Sequence, residues 1–281
     1  MSPDLQHPIS ALVDASLRAF PDLDPYSAPR RAWRRFRPRF LWERSRVGRV
    51  TTRFVAHHGL GVHGGPFRGM TYVPAAVGHT TFLVPKLVGS YERELAPVVG
   101  KLMAADFGQV INVGAGEGYY AVGMARGMPR ATVVAFERDP GERALCGRLA
   151  AANQVGDRVV LEGTCSSERL MEVLHDRSLV VMDCEGCELD LLCPRRVPRL
   201  AQATILAELH PSANPAIPDE LEARFRSSHA MTAIKGERRE PREFEELLGV
   251  LLPEERDLAI SEWRSGPAIW ALWAPLPPNL G

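Results

Sequence analysis

The sequence predicts an α/β fold with a Rossmann-like, mostly parallel sheet, preceded by an N-terminal extension. Two observations lead to this prediction. From Gln109 onward, short apolar runs alternate with helical stretches, and this order builds a parallel sheet with right-handed crossovers. A glycine-rich turn, GAGEG from Gly114 to Gly118, directly follows the first apolar run.

Seven apolar runs are predicted as strands, enough for one complete doubly wound sheet. In chain order they are QVINVG, ATVVAFE, RVVLEG, SLVVMD, ATILAELH, HAMTAI and AIWALWA. Helices are predicted over 119–126, 142–153 and 244–248. Residues 86–281 are therefore expected to form the main domain, and residues 1–85 an extension that caps it.

The extension contains an arginine-rich segment. Between Arg30 and Arg53 there are ten arginines and a single carboxylate, Glu43. Such a segment can bind phosphates, lie on a membrane surface, or pack its arginine stems on an apolar core. We favour the cap on the core, because Pro38 interrupts any long helix. A short helix is predicted near Ile9, and residues 50–90 are predicted to be short strands or irregular.

The composition is that of an ordinary globular protein, with 45% hydrophobic and 24% charged residues and no net charge. No apolar run reaches the roughly 18 residues of a membrane span, and the first residues do not resemble a secretory signal. The five cysteines are an odd number. We therefore expect a cytoplasmic protein with reduced thiols. The C-x-x-C pair Cys184 and Cys187 is a weak signal for zinc or redox chemistry.

The glycine-rich turn predicts a cofactor site. Glycines let the chain turn sharply from strand to helix and let a ligand approach the backbone. Glu137 ends the next strand, where a carboxylate accepts hydrogen bonds from ribose hydroxyls. Dinucleotide enzymes have a small residue where this chain has Tyr119. The spacing thus favours a cofactor without a pyrophosphate, such as S-adenosylmethionine, with NAD second and ATP third.

Four motifs, NVGAGEGYYAVGMA, AFERDP, VVMDCEGCELDLL and ILAELHP, occur in this order and resemble the FkbM-type family of class I methyltransferases. The upstream segment LVGSYERELAP resembles that family too. The resemblance covers residues 86–211. The family's motif after the fourth strand, D-x-E-G-x-E-x-x-L, is matched here by Asp183, Glu185, Gly186, Glu188 and Leu191.

The resemblance implies a seven-stranded sheet with an antiparallel last strand and S-adenosylmethionine as cofactor. It also implies methyl transfer, usually to a hydroxyl oxygen of a sugar, polyketide or other small metabolite. Asn112 stands where the family often has Asp. The residues expected to contact the cofactor are Tyr91, Asn112, Gly114, Ala115, Gly116, Gly118, Tyr119, Glu137, Arg138, Cys165, Ser166 and Asp183.

The candidate catalytic residues are Asp183, Glu185 and His210. A hydroxyl acceptor must lose a proton, and histidine titrates near neutral pH. Together with Glu208, these residues could also offer oxygen and nitrogen ligands to a divalent metal, so a metal stays open with no ligand assigned. Glu188 is expected on the following helix, as a hydrogen-bond acceptor at that turn.

We also keep three alternatives: N- or C-methylation of a peptide or aromatic amine, an RNA-modifying methyltransferase, and a non-enzymatic adaptor that retains the fold. The arginine-rich segment is the sole argument for RNA, and the chain has no accessory binding module. The expected partner is a small-molecule acceptor. The sequence does not favour nucleic acid, predicts no membrane span and leaves a homodimer open.

Overall fold

The computed structural model describes residues 39–80, 82–105, 107–262 and 269–277. The helix predicted near Ile9 and residues 30–38 of the arginine-rich segment lie outside the described residues. The strands are β1 (Gln109–Val113), β2 (Thr132–Phe136), β3 (Val159–Glu162), β4 (Leu179–Met182), β5 (Thr204–Leu209), β6 (His229–Lys235) and β7 (Ile269–Pro275).

The seven strands form one sheet in the order β3-β2-β1-β4-β5-β7-β6. Neighbouring strands from β3 to β5 are parallel, and β7 is antiparallel to both β5 and β6. The prediction of a mostly parallel, Rossmann-like sheet with an antiparallel last strand is confirmed. The strand order reverses between β1 and β4, the place where open α/β sheets bind ligands.

The register brings three strand ends to one edge. Val113 at the end of β1 is the partner of Phe136 in β2 and of Met182 in β4. The residues that follow these strands are therefore neighbours at the carboxyl edge of the sheet. The candidate site is built there.

The α-helices of the described residues are α1 (Arg39–Arg44), α2 (Arg46–His58), α3 (Leu83–Val88), α4 (Ala96–Ala104), α5 (Tyr119–Gly127), α6 (Pro140–Ala152), α7 (Ser167–Val173), α8 (Glu188–Leu191), α9 (Ile217–Phe225), α10 (Glu245–Leu248) and α11 (Pro253–Ile260). The helices predicted from Tyr119, from Glu142 and near Phe244 correspond to α5, α6 and α10. Asp139 caps α6, because its Oδ1 accepts the N–H of Gly141 at 2.7 Å. No helix in the described part of the chain has the length and apolar character of a membrane span.

Both faces of the sheet are covered, as alternation along β1 requires. Val110 belongs to a buried cluster that includes Phe54 of α2 and Leu87 of α3. The next residue, Ile111, belongs to the opposite cluster, which includes Phe225 of α9. Side chains on successive strand residues point to opposite faces, so both faces need apolar cover.

The prediction for residues 50–90 is wrong where α2 and α3 cover that range. Ser45 caps α2 by accepting the N–H of Gly48 at 3.0 Å, and Val50 and Phe54 form its buried stripe. The prediction of strands or irregular structure rested on the glycine and histidine content of this range and did not consider the helical spacing of its apolar residues. The proposed boundary between residues 85 and 86 falls inside α3, and the division into domains stays a prediction.

Candidate functional site

Two glycines of the turn after β1 are required by close packing. Gly114 has φ 78°, and a Cβ there would come within 1.7 Å of the Asp183 carbonyl oxygen. Gly118 has φ 104°, and its Cβ would meet Cys146 Sγ at 2.7 Å. Both positions combine left-handed backbone with contact, so a larger residue would displace the turn. The turn consequently lies directly against the chain that leaves β4.

The middle glycine faces open space and is tied to Glu137. A Cβ on Gly116 would meet nothing within 4 Å. Its N–H donates to Glu137 Oε2 at 2.8 Å, and the Asp139 N–H donates to Glu137 Oε1 at 2.7 Å. Each carboxylate oxygen has two acceptor sites, so both retain one for a ligand hydroxyl. The predicted ribose acceptor is thus held beside an open glycine turn.

Glu117 supports the turn from within the core. It is buried, accepts a hydrogen bond from the Tyr72 hydroxyl at 3.0 Å and forms an ion pair with buried Lys86. Burial by itself would raise the pKa of Glu117, but the Lys86 ammonium outweighs burial and the pKa lies below its ordinary value. The sequence does not predict this pair, because the two residues are 31 positions apart.

The ammonium group of Lys86 lies over the aromatic rings of Tyr91 and Tyr119. Lys86 Nζ is 4.6 Å from the Tyr91 ring centroid and 5.4 Å from that of Tyr119. The two rings meet edge to face at 5.3 Å. The buried Tyr119 hydroxyl has no hydrogen-bond partner among the described residues, and burial raises its pKa well above the ordinary value. The Tyr119 side chain is therefore part of the core.

A charged network holds the segment around Tyr91. Arg239 Nη2 lies 2.6 Å from Glu94 Oε2 and 2.7 Å from Glu262 Oε1. The Glu92 N–H donates to Glu262 Oε1 at 3.0 Å, and the Tyr120 hydroxyl donates to the Glu92 carboxylate. These contacts join the segment before α4 to α5, to the segment between β6 and α10, and to the chain that leaves α11. None of them was predicted.

Four other predicted cofactor contacts lie around the same edge. Asn112 is buried within β1, where its Nδ2 donates to the Val181 carbonyl at 3.3 Å. Arg138 is exposed directly after Glu137. Ser166 caps α7 through Oγ, and burial raises the pKa of the neighbouring Cys165 thiol to about 12. Their contacts with a cofactor stay predictions.

His210 lies among carboxylates at the end of β5. Its Nδ1 contacts Glu188, whose side chain is fully buried. Its Nε2 lies 3.5 Å from Asp183 Oδ1 and 3.9 Å from Glu208 Oε2. Burial lowers the pKa of His210, but the Glu188 hydrogen bond and the surrounding carboxylates outweigh burial, and the net shift is upward.

Glu185 completes this group in a tight turn. It has φ 59° and Gly186 has φ 110°, so two consecutive residues are left-handed. Asp183, Glu185 and His210 each offer a ligand atom, and these atoms all lie within 4.8 Å of one another. Glu188 accepts the Gly186 N–H at 3.3 Å, as expected for an acceptor at this turn. The predicted catalytic residues therefore come together.

The cysteine prediction is wrong for Cys184 and Cys187, which form a disulfide across this turn. Their Cα atoms are 5.6 Å apart, because the left-handed pair between them folds the chain back. Cys146, Cys165 and Cys193 are free. A spacing of three residues signals only that such a bond could form, so the sequence could not decide it.

The sequence matches no family model and no curated protein. Similar solved structures include the O-methyltransferase TomG from Streptomyces achromogenes in complex with SAM, at 13% identity and TM-score 0.44, over 69% of this chain and 90% of that one. An O-methyltransferase from Bacillus cereus, in complex with SAH, has 11% identity and TM-score 0.42, with 86% and 95% covered.

A geranyl diphosphate C-methyltransferase from Streptomyces coelicolor A3(2) has 14% identity and TM-score 0.39, with 90% of this chain and 99% of that one covered. Membership of the FkbM-type family is not shown by any of these matches. These likenesses are too distant to assign a function to this chain.

Proposed function

We propose that the protein is an S-adenosylmethionine-dependent methyltransferase that methylates a hydroxyl group of a small metabolite. One observation carries this proposal: the Glu137 carboxylate is held 2.8 Å from the Gly116 N–H, beside a turn with open space. This arrangement stands at the carboxyl edge where the strand order reverses. Glu137 would accept the ribose hydroxyls of the cofactor.

The side chain of Tyr119 argues against a dinucleotide. In the dinucleotide pattern a small residue at this position lets the helix pack closely over the pyrophosphate. Here the ring of Tyr119 packs edge to face against Phe67 at 4.9 Å and is buried. The buried ring thus disfavours NAD, which is the alternative cofactor that the binding experiment below has to exclude.

The motif after β4 supports the FkbM-type resemblance as part of this proposal. Asp183, Glu185 and Glu188, which match that family's acidic motif, surround the imidazole of His210 beside the glycine turn. Burying carboxylates is costly because they lose hydration, and titratable groups gathered in this way are typical of functional sites. We propose that the acceptor binds against this group.

S-adenosylmethionine, when bound, supplies a methyl group on a sulfonium sulfur. The residues of this chain must hold the acceptor oxygen in line with that methyl group, and such positioning contributes up to roughly 10 kcal/mol. The acceptor hydroxyl must also lose its proton, and Asp183, Glu185 and His210 are the groups that would take or direct it. These three residues would thereby both align the acceptor oxygen and remove its proton.

The contacts of the arginine-rich segment do not favour RNA as substrate. Arg46 donates to the Glu254 carbonyl, and Arg53 forms an ion pair with Glu255. Both contacts tie α2 to α11, as expected for a cap on the core. The described arginines of this segment thus include two that are engaged within the protein.

Calorimetric titration with S-adenosylmethionine, S-adenosylhomocysteine and NAD tests the proposal. We expect the first two to bind and NAD not to bind. Glu137→Ala should weaken cofactor binding by about 10- to 100-fold, because a hydrogen bond to a charged group contributes about 1.5–3 kcal/mol. Glu172→Ala, which removes an exposed carboxylate on α7, is the matched control. Tighter binding of NAD, or unchanged affinity in Glu137→Ala, would contradict the assignment.

A further inference from the structure

The donor atoms of Asp183, Glu185 and His210 form a group with the composition of a metal site. One carboxylate oxygen from each acid and one imidazole nitrogen lie within 4.8 Å of one another. They come from two adjacent parallel strand ends, so the sheet itself sets their spacing. We propose that these three residues bind a divalent cation, and that the Cys184–Cys187 disulfide holds Glu185 in the position that binding requires.

The orientation of His210 supports this assignment. Its Nδ1 is engaged by Glu188, a carboxylate with no exposed surface, and this leaves Nε2 facing Asp183 at 3.5 Å. Histidines that bind metals usually donate their other ring N–H to a carboxylate or carbonyl, which fixes the ring and its tautomer. Glu188 is thus a positioning residue. Because it is wholly buried, it can serve here only through His210 and the adjacent turn.

The turn that carries Glu185 is closed at both of its ends. The disulfide joins the residues on either side of Glu185 and Gly186, and Glu188 accepts the Gly186 N–H. Glu185 is exposed and has left-handed backbone, which is strained for a residue other than glycine. Such a conformation persists when its surroundings impose it. The disulfide is the covalent part of those surroundings.

Three protein ligands leave coordination positions open. Hard divalent cations such as Mg²⁺ and Mn²⁺ take six or more ligands, mostly oxygens, and the remaining positions go to water or to substrate. A hydroxyl bound to such a cation would lose its proton more readily. The carboxylate oxygen of Asp183 or Glu185 that does not bind the cation would accept that proton. In this respect the inference rests on the proposed function, since the open positions would receive the acceptor hydroxyl.

Titration with Mn²⁺ tests the site. The loss of the free Mn²⁺ signal in electron paramagnetic resonance, together with calorimetry, measures binding on oxidised full-length protein, with the disulfide verified by mass spectrometry. We expect saturable binding at a single site. Glu185→Gln and His210→Ala should each weaken binding at least tenfold, and Glu188→Gln by about 10- to 100-fold. Asp190→Asn, which removes an exposed charge from α8 outside the donor group, should leave affinity unchanged.

The Cys184→Ser/Cys187→Ser double variant tests the role of the disulfide. Binding should weaken severalfold, because the turn no longer holds Glu185 against the other two donors. Unchanged affinity in this variant would overturn the role of the disulfide. The absence of Mn²⁺ binding in the unaltered protein, or equal binding in Glu185→Gln, would overturn the metal site. Glu185 is exposed, so this variant stays informative even where His210→Ala does not fold.

The two proposals fail separately. S-adenosylmethionine titration without Mn²⁺ tests the cofactor site, and Mn²⁺ titration without cofactor tests the metal site. Cofactor binding without Mn²⁺ binding refutes only the metal site. Mn²⁺ binding without cofactor binding refutes the methyltransferase and leaves a metal site of another function.

Discussion

Lys86→Met is expected to destabilise the protein by about 3–5 kcal/mol at neutral pH, because it leaves Glu117 as a buried charge that has lost its cation. The exposed fractions of the two residues are 6% and 8%, so solvent can replace little of the lost interaction. Methionine fills nearly the same space as the lysine stem, so no large cavity forms. The hydrogen bond from Tyr72 at 3.0 Å remains.

The expected loss of unfolding free energy is large relative to the total stability of a domain. A folded domain is stable by about 5–15 kcal/mol, so this one substitution removes roughly a fifth or more of the total stability. The pKa of Glu117 is lowered in the folded protein from an ordinary value of 4.5. The stabilisation by the ion pair is therefore present above pH 4.5 and is lost as the pH falls further. Without Lys86, burial raises that pKa, and acid should instead favour the folded variant.

Urea unfolding at pH 7 and at about pH 3.5, monitored by tryptophan fluorescence, measures both effects. The double variant Lys86→Met/Glu117→Gln is the decisive control. Since it removes both charges, it should recover much of the lost stability. A loss below about 1 kcal/mol in the single variant, or no recovery in the double variant, would refute the view that this buried pair supports the turn.

Two further predictions concern packing and pH. Gly114→Ala should cost about 3 kcal/mol or more in unfolding free energy, because its Cβ would lie 1.7 Å from the Asp183 carbonyl at φ 78°; Gly100→Ala in α4, where a Cβ meets nothing within 4 Å, should cost nothing. Equal stability of the two variants would contradict the geometry. Burial lowers the pKa of His229 from 6.5 despite its hydrogen bond to the Ala203 carbonyl, so its stabilising contribution is present above pH 6.5 and declines below it. The difference in unfolding free energy between the unaltered protein and His229→Gln should shrink from pH 8 to pH 5.5, and a constant difference would count against this.

The strands and the glycine turn could be predicted because their signals are local. QVINV is a short apolar run that ends at Gly114, and a glycine there reads directly as a sharp turn. Glu137 could be placed at the carboxyl edge of the sheet, and so proposed as a ribose acceptor, because it directly follows the second strand in the sequence. Local composition gave the wrong prediction over residues 50–90, because glycines and histidines outweighed the helical stripe of Val50 and Phe54.

The order of strands and helices, the glycine turn and the residue types at the strand ends can thus be derived from local sequence. Which of these residues meet depends on the folded arrangement of the chain. Glu188 reaches His210 across 22 positions and Lys86 reaches Glu117 across 31, and the Cys184–Cys187 bond depends on a left-handed turn. The physical reason is that spacing along the chain carries local conformation, whereas strand register and core packing bring distant residues together.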